Sequence, residues 1–305
     1  MKFRRAHLED KARLETEWRR IFAHDDGGHS DFYFAHAYQA NQSYLLCDDH
    51  DELISACQVH TKTLILNEKP LQVSLIVGVF TVEKYRNQGY MHQLLSQVLD
   101  ILKHRDLITL IQAYNPDLYL KYGFEPIYHR NHFALQPKQI PVISPKGVNS
   151  LVSANDLCAL YERFTAHFTG YARRTEKDFQ LLQQEVASQK GQILGVYDEN
   201  RLEAYGVVLF EHNTVVLDEV VYTSAKSLVK LLNALSNLNQ PIELRVSEKE
   251  SLQKIFPQAQ SQSEVYTYAK LNDPKLFNEL FKSNVKSASE AFFLAEKPLW
   301  FRENQ

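Results

Sequence analysis

Cysteine is scarce in this chain, and none of it is arranged for chemistry. The three cysteines, Cys47, Cys57 and Cys158, are scattered through 305 residues. No two of them form a C-x-x-C pair, so a disulfide framework, a zinc site and a dithiol redox motif all lack support. They read as small buried hydrophobes of a reducing compartment. An excess of charge of either sign is missing too. With 34 Lys and Arg against 37 Asp and Glu, the formal net charge is −3, which supplies no overall field for nucleic acid or an anionic membrane. Apolar runs stop well short of the ~20 residues that span a bilayer. The basic N-terminus, Met1-Lys-Phe-Arg-Arg5, has no apolar stretch behind it that would make a signal peptide. The phosphate-binding patterns G-x-G-x-x-G and G-x-x-x-x-G-K are absent. The expectation is a soluble, cytoplasmic protein without a metal, a nucleic-acid partner or a membrane partner.

What the chain does have is core-forming material. Hydrophobic residues make up 44% of it, including 17 Phe and 16 Tyr. Its length suggests two domains. Residues 136–145 hold three prolines and are the best linker candidate. On each side of them the same order of elements can be read: two helices, three meandering strands, a helix and a strand. Asp198-Glu-Asn-Arg-Leu202 echoes Asp49-His-Asp-Glu-Leu53, which points to an internal duplication.

Residues 71–124 organise the first half. An apolar strand over 71–82 runs into the basic turn Lys84-Tyr-Arg-Asn-Gln-Gly-Tyr90. Apolar residues at Met91, Leu94, Leu95, Val98, Leu99 and Leu102 then follow helical spacing. A helix N-terminus presents unpaired N–H groups and the positive end of the macrodipole. Glycine lets a phosphate approach them, and Arg86 adds charge. A continuous apolar run over 107–113 reads as a central parallel strand. A short helix over 118–122 follows and carries Tyr119, whose phenol can act as a general acid. The matching turn of the second half, Thr223-Ser-Ala-Lys-Ser227, has no glycine, so the chemistry is expected in the first half.

Together, Arg86-Asn-Gln-Gly-Tyr-Met91 and Tyr119-Leu-Lys-Tyr-Gly-Phe124 resemble the pyrophosphate turn and the tyrosine helix of the GCN5-related N-acetyltransferase (GNAT) superfamily. With the second-half motif Gly170-Tyr-Ala-Arg-Arg-Thr175, the chain resembles the enhanced-intracellular-survival (Eis) type. That type has tandem GNAT domains and usually a C-terminal sterol-carrier-like domain, most of which is lacking here. The resemblance implies an α+β fold of α/β layers, with two GNAT-like domains that are each a mixed, mostly antiparallel sheet flanked by helices. The expected division is a catalytic domain over 1–138, a linker over 139–147, a degenerate second copy over 148–272, and a short helix with an apolar tail over 273–305.

The implied activity is transfer of acetyl from acetyl-CoA to a primary amine of a small molecule or lysine, by direct attack in a ternary complex and without a metal. Phe80, Thr81 and Val82 would hold the pantetheine arm by their backbone. Arg86, Asn87, Gln88, Gly89, Tyr90 and Met91 would hold the pyrophosphate, and Tyr119 would protonate the leaving thiolate. In the Eis type the C-terminal carboxylate, here that of Gln305, serves as base; Asp26, His36 and His132 are the other candidates. Asp25, Asp26 and Asp31 could attract a cationic acceptor. The resemblance also implies a homo-oligomer. Competing readings are a non-catalytic acyl-CoA-binding regulator and an aminoacyl or peptidyl transferase that uses charged tRNA.

Overall fold

The computed structural model describes residues 1–22 and 28–303. In chain order the first half forms β1 (Lys2–Arg5), α1 (Lys11–Ile21) and α2 (His29–Phe32), which continues as a π-turn over Tyr33–Ala37. It goes on through β2 (Ser43–Cys47), β3 (Leu53–Leu66), β4 (Lys69–Thr81), α3 (Tyr90–Leu102), β5 (Ile108–Ile111), α4 (Asp117–Leu120) and β6 (Glu125–Leu135). The second half forms β7 (Val148–Asn149), α5 (Ala154–Thr165), β8 (Tyr171–Ala172), α6 (Glu176–Ser188), β9 (Gln192–Asp198), β10 (Arg201–Glu211), β11 (Thr214–Tyr222), α7 (Ala225–Ser236), β12 (Ile242–Ser247) and β13 (Gln260–Leu271). Helices α8 (Pro274–Phe281) and α9 (Ala288–Phe293) end the regular structure. Among the described residues no helix is long and apolar enough to cross a membrane.

Two compact units result. The first comprises Met1–Ile127, Tyr266–Ala295 and the chain from Glu303; the second comprises Tyr128–Val265 and Glu296–Arg302. The unit boundaries therefore fall inside β6 and β13, not at the expected positions 138 and 272. Residues 125–135 form one strand, and its residues 130–135 pair antiparallel with β12 inside the second unit. The proline-rich segment is not a free linker either. Ile140 is buried in the core of the second unit, packed with the Phe133–Leu135 end of β6. Prolines suit a segment without ladder hydrogen bonds, but they do not stop its apolar residues from joining a core.

In the first unit β1, β2, β3 and β4 pair antiparallel. β5 runs parallel to β4 and antiparallel to the end of β13. The β3–β4 hairpin turns on Asn67 and Glu68, both at positive φ, and Pro70 falls within β4. α1 lays Leu14 and Trp18 on the face formed by Leu45, Cys47, Ala56 and Phe80. α3 buries Leu94, Leu95, Val98, Leu99 and Leu102, the stripe its periodicity predicts, and packs on β2, β3 and β4.

The second unit repeats this plan. β9, β10 and β11 form an antiparallel meander, and β12 lies parallel to β11. α7 covers one face and α5 with α6 the other. A capping box starts α6, with Thr175 as the cap and Asp178 as its acidic member. Each unit is thus the expected mixed, mostly antiparallel sheet flanked by helices.

A buried carboxyl in the second unit has consequences for stability. Glu250 is 8% exposed. It accepts from the Tyr222 hydroxyl at 2.6 Å and from the Ser247 N–H at 2.9 Å. Burial outweighs those two hydrogen bonds and pushes its pKa from 4.5 up to about 7. A raised folded-state pKa means that the favourable contribution is complete below pH 4.5 and is lost as the pH rises through 7. Glu250→Gln should therefore gain stability relative to the wild type across that window, by up to about 3 kcal/mol above pH 7. Urea denaturation of both proteins at pH 4.5 and pH 8 measures this, and a pH-independent difference would refute it.

Candidate active site

The site is built from one irregularity in β4. Along β3, Ala56 lies opposite Phe80 and Gln58 opposite Val77, so β4 takes one more residue than its partner over this stretch. The resulting bulge bends β4 away from its parallel neighbour. The ladder between β4 and β5 ends at the pair Ile76–Ile111, whereas β4 runs on to Thr81. Residues 77–81 therefore have no strand on their β5 side among the described residues. Gly78 makes the bulge possible. Its φ is +55°, and a Cβ there would come within 1.9 Å of the Trp18 ring. Trp18 in turn stacks on Tyr33, with ring centroids 5.1 Å apart.

The open edge does not treat the three expected pantetheine residues alike. Backbone groups of successive strand residues point to opposite sides. The Val82 N–H donates to Ile54 O at 2.9 Å, and Val82 O accepts from the Tyr85 N–H at 2.8 Å. Both backbone groups of Val82 thus make hydrogen bonds within the chain. Phe80 sits two residues back, on the same β3-facing side, and its carbonyl also accepts from Ser55 Oγ at 2.6 Å. Only Thr81 of the three turns its N–H to the open side.

After β4 a short 3-10 turn over Glu83–Tyr85 leads to Arg86, Asn87 and Gly89. Asn87 and Gly89 both have positive φ. Gly89 is the N-cap of α3, and no side chain caps it. The Gln93 N–H bonds back to Gly89 O, so the N–H groups of Tyr90, Met91 and His92 precede the helical ladder. A Cβ at Gly89 would meet nothing within 4 Å. The space in front of these N–H groups is open, and the exposed Arg86 stands beside it, its Nε donating to Thr81 O at 3.3 Å. The corresponding helix of the second unit is closed: Ser224 caps α7 by accepting from the Ser227 N–H at 3.1 Å. The residues of the first turn therefore fit a phosphate-bearing donor and those of the second do not.

Tyr119 lies in α4, buried at 8% exposure, with its ring edge-on to Phe124. Burial, with Cys57 and Tyr122 nearby, pushes its pKa up to about 12. It keeps its proton throughout the neutral range and has it to donate. The loop after α4 is held by Lys270 Nζ, which donates to Tyr122 O at 2.6 Å, and by a 3.0 Å contact between the Tyr122 hydroxyl and His92 Nδ1.

Sequence reading missed a buried polar chain on β3. The Tyr33 hydroxyl donates to Gln58 Oε1 and lies 2.9 Å from His60 Nε2. Since Tyr33 has one proton to give, His60 must donate from Nε2–H, which leaves Nδ1 as an acceptor. Burial and Lys62 lower the His60 pKa to about 4, so the ring is neutral. The available signal was Gln58 and His60, two residues apart on a strand whose first half is mostly apolar.

The candidate bases do not converge. His36 is exposed beside Phe32. His132 belongs to the second unit, where it lies 2.9 Å from Glu243 and 2.8 Å from Glu264, a structural ion network. Asp25, Asp26 and Gln305 lie outside the described residues. Glu303 is described: it pairs with Lys62 of β3 at 2.6 Å, and its carbonyl accepts from the Tyr266 hydroxyl at 3.3 Å.

Comparison with known proteins agrees with this geometry. Residues 2–127 match the family described as acetyltransferase (GNAT) domain. No curated protein matches the chain in sequence. Three solved structures share its fold. A probable N-acyltransferase from Enterococcus faecalis has a TM-score of 0.77 at 16% identity, over 91% of this chain and 74% of that one. A GCN5-related N-acetyltransferase from Anabaena variabilis has 0.74 at 14%, over 89% and 73%. Eis1 from Mycobacterium abscessus has 0.70 at 15%, over 92% and 76%. Residues 2–127, which hold the bulged β4 and the uncapped α3, thus match the GNAT acetyltransferase domain, and the chain shares its fold with Eis1.

Proposed function

We propose that the first unit transfers an acetyl group from acetyl-CoA to a primary amine, on a small molecule or a lysine side chain, by direct attack. The observation that carries this reading is the uncapped N-terminus of α3, which directly follows a strand with one free edge. The N–H groups of residues 90–92 and the Arg86 guanidinium would hold the pyrophosphate. The open edge of β4, with Thr81 as its last contributor, would take the amide groups of the pantetheine arm as an added strand takes its neighbour. The same edge, at and beyond the Gly78 bulge, offers N–H donors to the carbonyl oxygen that gains charge during attack. Tyr119 would protonate the departing thiolate, a task for which a phenol held at a pKa of about 12 is always charged with its proton. The neutral His60–Tyr33–Gln58 chain would stiffen the β3 side of the bulge.

Two measurements test the reading. Tyr119→Phe should lower kcat by about a hundredfold while leaving the KM for acetyl-CoA little changed; an unaltered kcat removes Tyr119 as the acid. Acetyl-CoA at a hundred times its Kd should stabilise the wild type by about 2.7 kcal/mol in a thermal-shift assay. Gly89→Val, which fills the space in front of the helix, should abolish most of that shift. No stabilisation of the wild type by acetyl-CoA or free CoA would refute the donor assignment.

A further inference from the structure

The second unit repeats the architecture of the donor site but not its vacancy. β11 and β12 run parallel only through the pair Leu217–Leu244, after which β11 continues to Tyr222 and β12 to Ser247. A bulge again precedes the parting: Val207 lies opposite Glu219 and Val208 opposite Leu217, so Asp218 is the extra residue. This is the arrangement that opens β4 from β5 in the first unit. Here the chain's own residues 298–302 lie across the parting. Ser247 Oγ, at the end of β12, donates to Leu299 O at 2.9 Å. Arg302 pairs with Asp218, the bulge residue of β11. The segment also adds to the unit as a strand would. The Thr169 N–H donates to Pro298 O at 2.9 Å, the Trp300 N–H donates to Thr169 O at 3.0 Å, and Thr169 and Leu299 form a parallel bridge. Trp300 is 3% exposed and packs edge-on against Tyr161 and Phe164 of α5.

The motif Gly170-Tyr-Ala-Arg-Arg174, to which the proposed reaction gives no role, now has one. Gly170 has φ +72°, and a Cβ there would meet Leu299 Cδ2 at 2.7 Å. Arg174 donates to Arg302 O while holding both oxygens of the buried Glu219 at 2.9 Å. Glycine clears the path of the segment and arginine fastens its far end.

We infer that the second unit is a peptide-holding module: its cleft, homologous in plan to the donor cleft of the first, takes an extended segment of polypeptide, and its resident ligand is residues 298–302 of the same chain. The cleft is therefore closed to an acyl-CoA, and each chain offers one donor site. The occupant is set by main-chain hydrogen bonds, one aromatic anchor at Trp300 and one cation at Arg302, the mode by which a peptide adds to an exposed strand or loop edge.

Hydrogen exchange on the intact chain, read at the Trp300 amide by fragmentation mass spectrometry, tests this without reference to the donor. In the wild type the amide should exchange at least about a hundredfold more slowly than an unstructured one. Gly170→Ala should raise its rate by about tenfold or more. Ser247→Ala, which removes the hydrogen bond to Leu299 O together with the one that Ser247 Oγ accepts from the Lys249 N–H, should raise it a few-fold, and it serves if the glycine variant does not fold. A Trp300 amide at the unstructured rate in the wild type, or one as protected in both variants as in the wild type, overturns the inference. So does calorimetry that finds two equivalents of acetyl-CoA per wild-type chain. Failure of acetyl-CoA to bind at all would unseat only the donor assignment above.

Discussion

Hydrogen-bonded ladders close on themselves wherever they can, and this molecule depends on a place where one ladder is made to stop. After Ile76 and Ile111, β4 and β5 part, and the parting is forced by an extra residue in β4. A buried strand edge without a partner is unfavourable unless something else supplies hydrogen bonds. The free edge of residues 77–81 is the edge that the proposed function fills with the amide groups of a ligand. It is kept open by packing on the other face. Trp18 lies against Gly78 where any side chain would collide, and Tyr33 stacks behind Trp18, itself tied to Gln58 and His60. The reactive edge and the aromatic cluster that keeps it bent are two sides of one strand.

The same economy appears at the helix that follows. A helix whose first N–H groups are left uncapped loses about 1 kcal/mol relative to one with a serine cap. α7 has that cap in Ser224, and α3 forgoes it at Gly89. The difference between the units is thus not fold but whether each polar group is satisfied from within. In the first unit the strand edge and the helix start are both left for a ligand. In the second, Ser224 closes the helix and residues 298–302 cross the strand parting.

Much of this was legible before any coordinates. The order strand, glycine turn, helix, strand, tyrosine helix over residues 71–124 follows from local periodicity and from where glycine and proline fall. The buried stripe of α3 emerged as read. The unequal fates of Phe80, Thr81 and Val82 were not legible, because they depend on which side of β4 faces β3, a matter of register. Nor were Tyr33, Gln58 and His60, which lie on a helix and a distant strand and meet only when α2 packs on β3. His132 illustrates the converse: a histidine beside a strand looked available for chemistry, and long-range pairing of β6 with β12 gave it to Glu243 and Glu264.

By itself, then, the sequence determined what kinds of element form and which helix start carries a glycine, since glycine content and hydrophobic period act over a few residues. Only the tertiary structure decided where the units divide, which strand edge stays open and what lies across the other. Those outcomes rest on pairings between residues far apart in the chain: β6 joins β12 and β13 joins β5, against the order in which the halves are written. Pro298 to Arg302 shows the reason most plainly. Nothing within those five residues specifies a cleft, and it is Gly170, Arg174, Asp218 and Ser247, brought together by folding, that give them one.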